Sequence, residues 1–209
     1  MDIDYDDDGN PKIKIILVGE AKVGKTQLIN VMNPEEKFDP DYLATLDSTF
    51  LKREIQIDEH IINTYLWDTM GGEDTRSIVD IFFKGAKIVI FVYSITDKRS
   101  FVELDNYWVN LVKEKLGNDI ILGLVGNKKD LYKKKVVTDQ EGKSYASKIK
   151  AKWSLTSAKD ERPEFQKYIF GLIKDYVKKV DLKNKSKSGQ KGTTKLNQNQ
   201  GKTKGKKCC

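Results

Sequence analysis

Short runs of β-branched and apolar residues alternate with longer stretches of helical periodicity through the middle of the chain. The short runs predict strands, and the longer stretches predict amphipathic helices. The predicted strands are 13–18, 52–57, 62–67, 88–93, 120–126 and 153–156, and the predicted helices are 25–32, 100–116, 140–150 and 163–179. This order predicts an α/β fold, in which helices flank a six-stranded, mostly parallel sheet.

Local signals place some of the element boundaries. Ser100 followed by Glu103 predicts a capping box at the start of the second helix, and Pro163 suits the first turn of the last helix. The second and third strands predict a hairpin that turns at residues 58–60, which makes His60 a solvated turn residue.

Polar segments flank this middle region. Residues 1–10 contain five aspartates and no basic residue, which predicts an acidic, disordered leader. Residues 181–209 are rich in Lys, Gly, Ser, Thr, Asn and Gln, which predicts a flexible tail. The tail carries nine lysines, and without them the formal net charge falls from +7 to −2. Without the five aspartates of the leader as well, the net charge is +3. The expected folded domain, residues 11–180, is therefore close to neutral.

The longest uninterrupted apolar run, Ile88 to Tyr93, is too short to span a bilayer, and the acidic N-terminus is unlike a signal peptide. Both cysteines, Cys208 and Cys209, are the last two residues, so no internal disulfide is expected. These features predict a protein that is made in the cytosol and stays there.

The first strand runs into a segment that matches G-x-x-x-x-G-K-[ST], in the strand, loop and helix context that a phosphate-binding loop requires. Glycines allow the backbone to curl so that successive N–H groups point at phosphates. Lys25 is expected to reach the β and γ phosphates, and the Thr26 hydroxyl to ligate Mg²⁺. The expected contacts of the loop are Gly19, Ala21, Lys22, Val23 and Gly24.

Two later segments predict recognition of a guanine base. Residues 126–130 read Gly-Asn-Lys-Lys-Asp, which places Asn127, Lys128 and Asp130 after the fifth predicted strand. A carboxylate at Asp130 can accept two parallel hydrogen bonds from guanine, whereas adenine offers no such pair. After the last strand, Ser157, Ala158 and Lys159 form a turn that is expected to present a backbone N–H to guanine O6.

These three motifs, in this order, resemble the Ras superfamily of small GTPases over about residues 11–180. Residues 45–50 stand where Rab proteins read T-I-G-x-D-F, and residues 66–69, 82–86 and 91–96 also resemble Rab segments. The resemblance implies the P-loop NTPase G domain fold, GTP or GDP as the bound nucleotide, and Mg²⁺ as the cofactor.

The resemblance also assigns roles to single residues. Phe38 would pack against the guanine, and Thr45 would supply a second Mg²⁺ ligand and sense the γ-phosphate. Asp68 would hold the metal through water, and Gly71 would offer its N–H to the γ-phosphate. Phe50, Trp67 and Phe82 match the aromatic triad with which Rabs meet effectors, although large aromatic residues are also ordinary core residues.

The second switch departs from the family pattern. Small GTPases usually read D-T-A-G-Q-E there, but residues 68–73 read Asp-Thr-Met-Gly-Gly-Glu. Gly72 stands in the place of the glutamine that orients the attacking water. The catalytic positions that the resemblance implies are Lys25, Thr45, Gly71 and Gly72. We expect slow intrinsic hydrolysis. An activating protein that supplies a glutamine in trans could restore a faster rate. Lys22 as a local cation is a second possible compensation, and a GTP-bound membrane adaptor with negligible hydrolysis is the alternative function.

The terminal pair Cys208-Cys209 resembles the Rab end that receives two geranylgeranyl groups, and two lipids give stable anchoring. The lysines upstream would add attraction to an anionic leaflet. A nucleic-acid tail is the competing interpretation, but the tail contains no aromatic residue to stack on bases. A P-loop kinase would leave the base-reading motif and the terminal cysteines without a role.

The implied partners are a guanine nucleotide exchange factor, a GTPase-activating protein, effectors, the prenylation machinery and a GDP-dissociation inhibitor, with no nucleic acid. The implied location is the cytoplasmic face of endomembranes, partly cytosolic when extracted, with a role in vesicle-mediated transport.

Overall fold

The computed structural model describes residues 4–6, 9–33, 50–57, 60–68, 82–160 and 162–189. The strands in these ranges are β1 (Asp4–Tyr5), β2 (Pro11–Val18), β3 (Phe50–Ile57), β4 (His60–Asp68), β5 (Ala86–Ser94), β6 (Ile121–Asn127) and β7 (Lys152–Leu155). The helices are α1 (Lys25–Asn30), α2 (Lys98–Glu103), α3 (Val109–Leu116), α4 (Asp139–Ile149) and α5 (Arg162–Gly189). A π-helical turn, Leu104–Trp108, joins α2 to α3, and a 3-10 helix, Lys129–Lys134, follows β6.

The strands form one sheet in the order β3-β4-β2-β5-β6-β7, with β1 paired to β2. The β3–β4 and β1–β2 pairs are antiparallel, and the other neighbouring pairs are parallel. The register pairs Leu17 with Asp68 and Ser94 with Asn127, so the ends of these parallel strands meet at one edge of the sheet, here called the carboxyl edge. The predicted α/β fold with a mostly parallel sheet is confirmed.

Two hydrophobic layers lie on opposite faces of the sheet, because side chains alternate along each strand. In β2, Ile15 and Leu17 pack on one face with α1 and α5, and Ile16 and Val18 pack on the other with the helices from α2 to α4. These β2 side chains are fully buried. The near-continuous apolar pattern of β2 therefore reflects burial on both faces, as expected for a strand inside a parallel sheet.

The sheet has seven strands, so the predicted six-stranded sheet is one strand short. The additional strand, β1, lies in the stretch that composition predicts to be a disordered leader. Its Asp4 carboxylate lies 3.1 Å from Lys87 Nζ, and Asn63 donates a side-chain hydrogen bond to Asp6. These two aspartates have a basic partner on β5 and an amide partner on β4, which composition alone does not indicate.

The predicted capping box at Ser100 and Glu103 is wrong. The helix begins two residues earlier, and Asp97 caps it by accepting hydrogen bonds from the N–H groups of Arg99 and Ser100. Ser100 is buried, and its hydroxyl accepts a hydrogen bond from the Ser94 N–H. His60 is the first residue of β4 and pairs with Ile57, so the predicted hairpin is confirmed but His60 is not one of its turn residues.

Helix α5 continues to Gly189, well into the stretch that composition predicts to be a flexible tail. Its first turn contains Pro163, as predicted. Among the described residues, no helix combines the length and the apolar character that crossing a membrane requires.

Candidate functional site

The loop between β2 and α1 lies at the carboxyl edge and has a tightly curled backbone. Gly19 and Gly24 have positive φ angles of 147° and 95°, and Lys22 adopts the left-handed conformation with φ 63°. A Cβ atom on Gly19 would collide with the Val92 carbonyl oxygen, and one on Gly24 would collide with the Asn127 side chain. The two glycines of the phosphate-loop motif are therefore required both by conformation and by lack of space.

Lys25 is the first residue of α1 and is 5% exposed. Its ammonium group donates hydrogen bonds to the Gly19 carbonyl over 2.8 Å and to the Glu20 carbonyl over 2.9 Å. Burial lowers the pKa of Lys25 to about 8, although the carboxylates of Asp68 and Glu20 oppose this shift. A negatively charged phosphate beside this ammonium would favour its charged form.

Thr26 and Asp68 meet beside this lysine. The Thr26 hydroxyl donates a hydrogen bond to Asp68 Oδ2, although the two residues come from α1 and from the end of β4. Asp68 is 1% exposed. Mg²⁺ prefers oxygen ligands and is usually bound through one or two carboxylates together with substrate phosphates and water. This hydroxyl and carboxylate pair, at the base of a phosphate loop, therefore fits Mg²⁺.

Asn127, the last residue of β6, connects the phosphate loop with the two base-reading segments. Its amide nitrogen donates to the Val23 carbonyl over 2.9 Å, and its amide oxygen accepts from the Ala158 N–H over 3.2 Å. Asn127 is buried, so both hydrogen bonds lie out of solvent. The sequence predicts that this turn presents a backbone N–H to guanine O6, and in this structure the Ala158 N–H bonds to Asn127.

Lys128 also bridges to the phosphate loop. It adopts the left-handed conformation with φ 67°, and its Nζ donates to the Lys22 carbonyl over 2.7 Å. Burial lowers the pKa of Lys128, although Asp97 and Asp130 oppose this shift. The aliphatic stem of Lys128 thus spans from the end of β6 to the loop that follows β2.

Asp130 and the turn after β7 form one hydrogen-bonded unit. The Ser157 hydroxyl donates to Asp130 Oδ1 over 2.8 Å and accepts from the N–H groups of Lys159 and Asp160, each over 3.2 Å. Ser157 is buried, whereas Asp130 and Lys159 are exposed. The Asp130 carboxylate is therefore held in position from beneath while it faces outward.

The contact between Glu20 and Trp108 is a feature of this site that the sequence did not predict. Trp108 Nε1 donates to Glu20 Oε1 over 3.1 Å, and Trp108 lies at the end of the π-helical turn. A π turn inserts one extra residue into a helix, which changes the direction of the side chains that follow. The sequence pattern that predicts a helix over 100–116 does not indicate this π turn.

Phe50, Trp67 and Phe82 are brought together. The rings of Phe50 and Trp67 stack with centroids 4.9 Å apart, and those of Trp67 and Phe82 are 6.1 Å apart. Phe50 is 53% exposed and Phe82 is buried, so the cluster extends from the core to the surface. Lys14 Nζ lies 4.2 Å from the centre of the Trp67 ring, which places a cation against the cluster.

The remaining predicted site residues lie outside the described ranges. They are Phe38, Thr45, Gly71, Gly72, Cys208 and Cys209. Of the other predicted nucleotide contacts, Ala21 is exposed and Val23 is buried, as expected for a loop with one face on the core.

Comparison with known proteins agrees with this geometry. The Ras family model matches residues 14–191. Human Ras-related protein Rab-21 is 35% identical over 205 residues, covering 94% of this chain and 90% of that protein. Ras-related protein Rab-21 of Bos taurus is 36% identical over 174 residues, covering 83% and 77% of the two chains.

Ras-related protein Rab-8B of Dictyostelium discoideum is 33% identical over 168 residues, covering 80% and 81% of the two chains. The matched region includes the phosphate loop, the base-reading segments and the aromatic cluster. The chain therefore belongs to the Ras superfamily of small GTPases and, within it, to the Rab family.

Proposed function

We propose that this protein is a switch that binds GTP or GDP with Mg²⁺ and presents its nucleotide state to effectors on a membrane. The observation that carries the proposal is the position of Asn127, which hydrogen-bonds to the phosphate loop at Val23 and to the last loop at Ala158. This side chain fixes the phosphate-binding and base-binding loops relative to each other. A nucleotide must bind both loops at once, so their fixed spacing favours a ligand with both a base and phosphates.

The phosphates would lie against Lys25 and the backbone N–H groups of the loop that contains Gly19 and Gly24. Thr26 and Asp68 would hold Mg²⁺, with Thr45 as a further ligand. The metal would supply positive charge that offsets the charge of the phosphates. The protonated Lys25 ammonium adds a fixed positive charge at the same place, because its hydrogen bonds to Gly19 and Glu20 hold it beneath the loop.

The base would lie against Asp130, Lys128 and the turn at residues 157–159, with Phe38 packed on its face. The Ser157 hydroxyl supports the outward-facing Asp130 carboxylate. Guanine offers two donors in the required positions, and adenine would leave a carboxylate oxygen without its donor. The proposed ligand is therefore a guanine nucleotide.

We propose slow intrinsic hydrolysis, because Gly72 cannot orient the attacking water as a glutamine side chain does. Gly71 and Thr45 would still contact the γ-phosphate and let both switch regions respond to its loss. A GTPase-activating protein that supplies the missing group in trans would complete a cycle. The second candidate is a GTP-bound adaptor that changes state by nucleotide exchange alone, and the glycine at position 72 is the feature that favours it.

We further propose that Cys208 and Cys209 carry prenyl groups and anchor the chain on the cytoplasmic face of endomembranes. Exchange factor, prenylation machinery, GDP-dissociation inhibitor and effectors would then be its partners in vesicle-mediated transport. The stacked rings of Phe50 and Trp67, with Phe50 half exposed, offer effectors an aromatic surface.

Single-turnover hydrolysis of bound GTP tests the enzymatic part of this proposal. We would compare wild type with Gly72→Gln and identify the released nucleotide by chromatography. We expect wild type to turn over below the order of 10⁻⁴ s⁻¹ that Ras reaches with its glutamine, and the variant to approach that rate. A wild-type rate at or above that value contradicts the role of Gly72, and Lys22→Ala would then test whether that lysine compensates. If neither wild type nor Gly72→Gln hydrolyses GTP, the result favours the GTP-bound adaptor.

A further inference from the structure

A cleft of about 790 Å³ opens on the side of the domain opposite the nucleotide site. It lies at the amino ends of β6 and β7, where Ile121 and Lys152 begin the two strands. Because β6 ends at Asn127 and each residue of a strand adds about 3.3 Å, the two sites are separated by roughly 20 Å. The cleft is therefore independent of the residues proposed to bind nucleotide.

Buried apolar side chains form the floor of this cleft, and lysines surround it. The floor includes Val112 from α3, Ile149 from α4 and Leu172 from α5. The lysines are Lys113, Lys148, Lys150, Lys152 and Lys179. We call this feature the lysine cleft. Asp175 is the acidic residue among the lining residues that the structure describes, and Asp105 and Asp119 pair with two of the lysines, so the opening keeps a net positive charge.

Three of the lysines form ion pairs that leave them accessible. Lys148 lies 3.0 Å from Asp105, Lys152 lies 3.0 Å from Asp175, and Lys179 lies 3.3 Å from Asp119. The Lys152 and Asp175 side chains are each about half exposed, and Lys179 is 34% exposed. Exposed pairs of this kind contribute little energy, so they do not prevent a lysine from turning to another anion. Lys113 and Lys150 form no ion pair with any residue in the described ranges.

Lys150 has an unusual backbone. Within the described ranges, the residues other than glycine with positive φ are Lys22, Lys128 and Lys150. The first two lie at the nucleotide site, and the third lies at the rim of the lysine cleft. Side chains other than glycine adopt this conformation at a cost in free energy, and the end of a helix is a common place for it. The conformation ends α4 and lets Ile149 pack inward while Lys150 faces solvent.

The lysine cleft lies where the chain leaves the folded domain. Asp175 and Lys179 are in α5, which runs from the carboxyl edge of the sheet towards the cleft. Beyond Lys179 the helix continues to Gly189, roughly 15 Å further at 1.5 Å per residue. The lysine-rich tail and its two terminal cysteines follow. The described part of the chain therefore ends on the side of the domain where the cleft opens.

We propose that the lysine cleft binds the phosphate headgroup of an anionic phospholipid, so that this side of the domain lies against the membrane. The lysines supply the charge that such a headgroup requires, and the apolar floor accommodates the glycerol carbons next to it. The proposal rests on the proposed membrane attachment of the tail. It adds a second contact, made by the folded domain, which orients the nucleotide site and the aromatic cluster away from the bilayer.

Vesicle binding of the full-length, unprenylated chain tests this proposal. We would measure co-sedimentation with phosphatidylcholine vesicles, with and without phosphatidylserine, for wild type and for a Lys113→Gln/Lys150→Asn variant. Asparagine is chosen at position 150 because it tolerates the left-handed conformation. The matched control is Lys133→Gln/Lys134→Gln, which removes the same charge from exposed lysines beyond β6, on the other side of the domain. Retention of labelled GDP and thermal unfolding check that each variant is folded.

We expect wild type to bind the phosphatidylserine vesicles and the cleft variant to bind them more weakly by up to about thirtyfold, since each lysine at an anionic surface contributes up to about fivefold. The control should bind like wild type. Equal binding of cleft variant and wild type overturns the lysine cleft as a lipid site but leaves tail attachment intact. An equal loss in both variants means general charge attraction and also overturns it. If wild type binds neither vesicle, the lysine contribution to membrane attachment and this inference both fail, whereas GTP hydrolysis is unaffected.

Discussion

The Asn127 amide donates a hydrogen bond to the Val23 carbonyl over 2.9 Å, across 104 positions of sequence. The same side chain accepts a hydrogen bond from the Ala158 N–H, so three loops from distant parts of the chain converge on one buried amide. Such a residue acts on the binding site without having to touch a ligand, because it sets the distance between loops that do. The geometry of the site thus depends on a side chain whose role is at least partly structural.

Replacing this amide should weaken both folding and nucleotide binding. Asn127→Ala leaves the Val23 carbonyl and the Ala158 N–H buried without their partner, so we expect the free energy of unfolding to fall by about 3 kcal/mol. Labelled GDP should dissociate faster than from wild type. Asn110→Ala removes an exposed asparagine with one hydrogen bond to the backbone of Asp105 and serves as the control. Equal dissociation rates for both variants would show that the loops keep their spacing without Asn127.

Gly19 should tolerate no side chain. In Gly19→Ala the new Cβ would overlap the Val92 carbonyl of β5, so the phosphate loop or the strand must move. We expect a loss of about 1–3 kcal/mol in the free energy of unfolding, together with weaker GDP binding. The control is Gly85→Ala, where φ is +78° but nothing lies within 4 Å of the added atom. If the control is equally destabilised, backbone conformation alone explains the loss and the close contact with β5 does not matter.

Sequence reasoning was most successful where a motif and a strand end coincide. The phosphate loop follows β2 and Asn127 ends β6, so the motifs predict Lys25, Thr26 and Asn127 at a common edge, and the family resemblance adds Asp68. The Thr26–Asp68 hydrogen bond confirms that these two residues meet. Such positions are predictable because parallel strands deliver their following loops to one edge of the sheet.

Other features depend on contacts that no local pattern reveals. The Trp108–Glu20 hydrogen bond joins residues 88 positions apart and requires a π turn, which has no simple sequence signature. The ion pair between Asp4 of β1 and Lys87 of β5 is likewise a contact between distant segments. The cap predicted at Ser100 lies one turn beyond the observed cap, because Asp97 is an equally good capping residue and the Ser100 hydroxyl accepts a hydrogen bond from the buried Ser94 N–H.

Helix α4 should lose part of its support in acid. Hydrogen bonds from Lys98, and from the backbone N–H and hydroxyl of Thr138, lower the pKa of the Glu141 carboxyl to about 2 from an ordinary value of 4.5. Because the folded pKa is the lower one, the unfolded chain binds more protons between these values. The stabilisation from Glu141 is therefore present above pH 4.5 and is lost as the pH falls towards 2.

Chemical unfolding across this pH range would measure the effect. The Glu141→Gln variant should be less stable than wild type at neutral pH, and the difference should shrink as the pH falls from 4.5 to 2. Glu114→Gln, which changes an exposed glutamate in α3, is the control and should follow wild type. A difference between Glu141→Gln and wild type that stays constant over this range would mean that the charge of Glu141 does not matter.

The most direct test of the account is nucleotide selectivity and its dependence on Asp130. Labelled GDP bound with Mg²⁺ would be displaced by unlabelled GTP or by ATP, from wild type, from Asp130→Asn and from the control Asp160→Asn. We expect GTP but not ATP to displace the label from wild type and from the control. The Asp130→Asn variant should bind GDP more weakly by about a hundredfold or more, because the amide carries no charge and places an NH2 donor where the carboxylate has its second acceptor oxygen. Equal displacement by ATP, or unchanged affinity in Asp130→Asn, would contradict guanine recognition by this site.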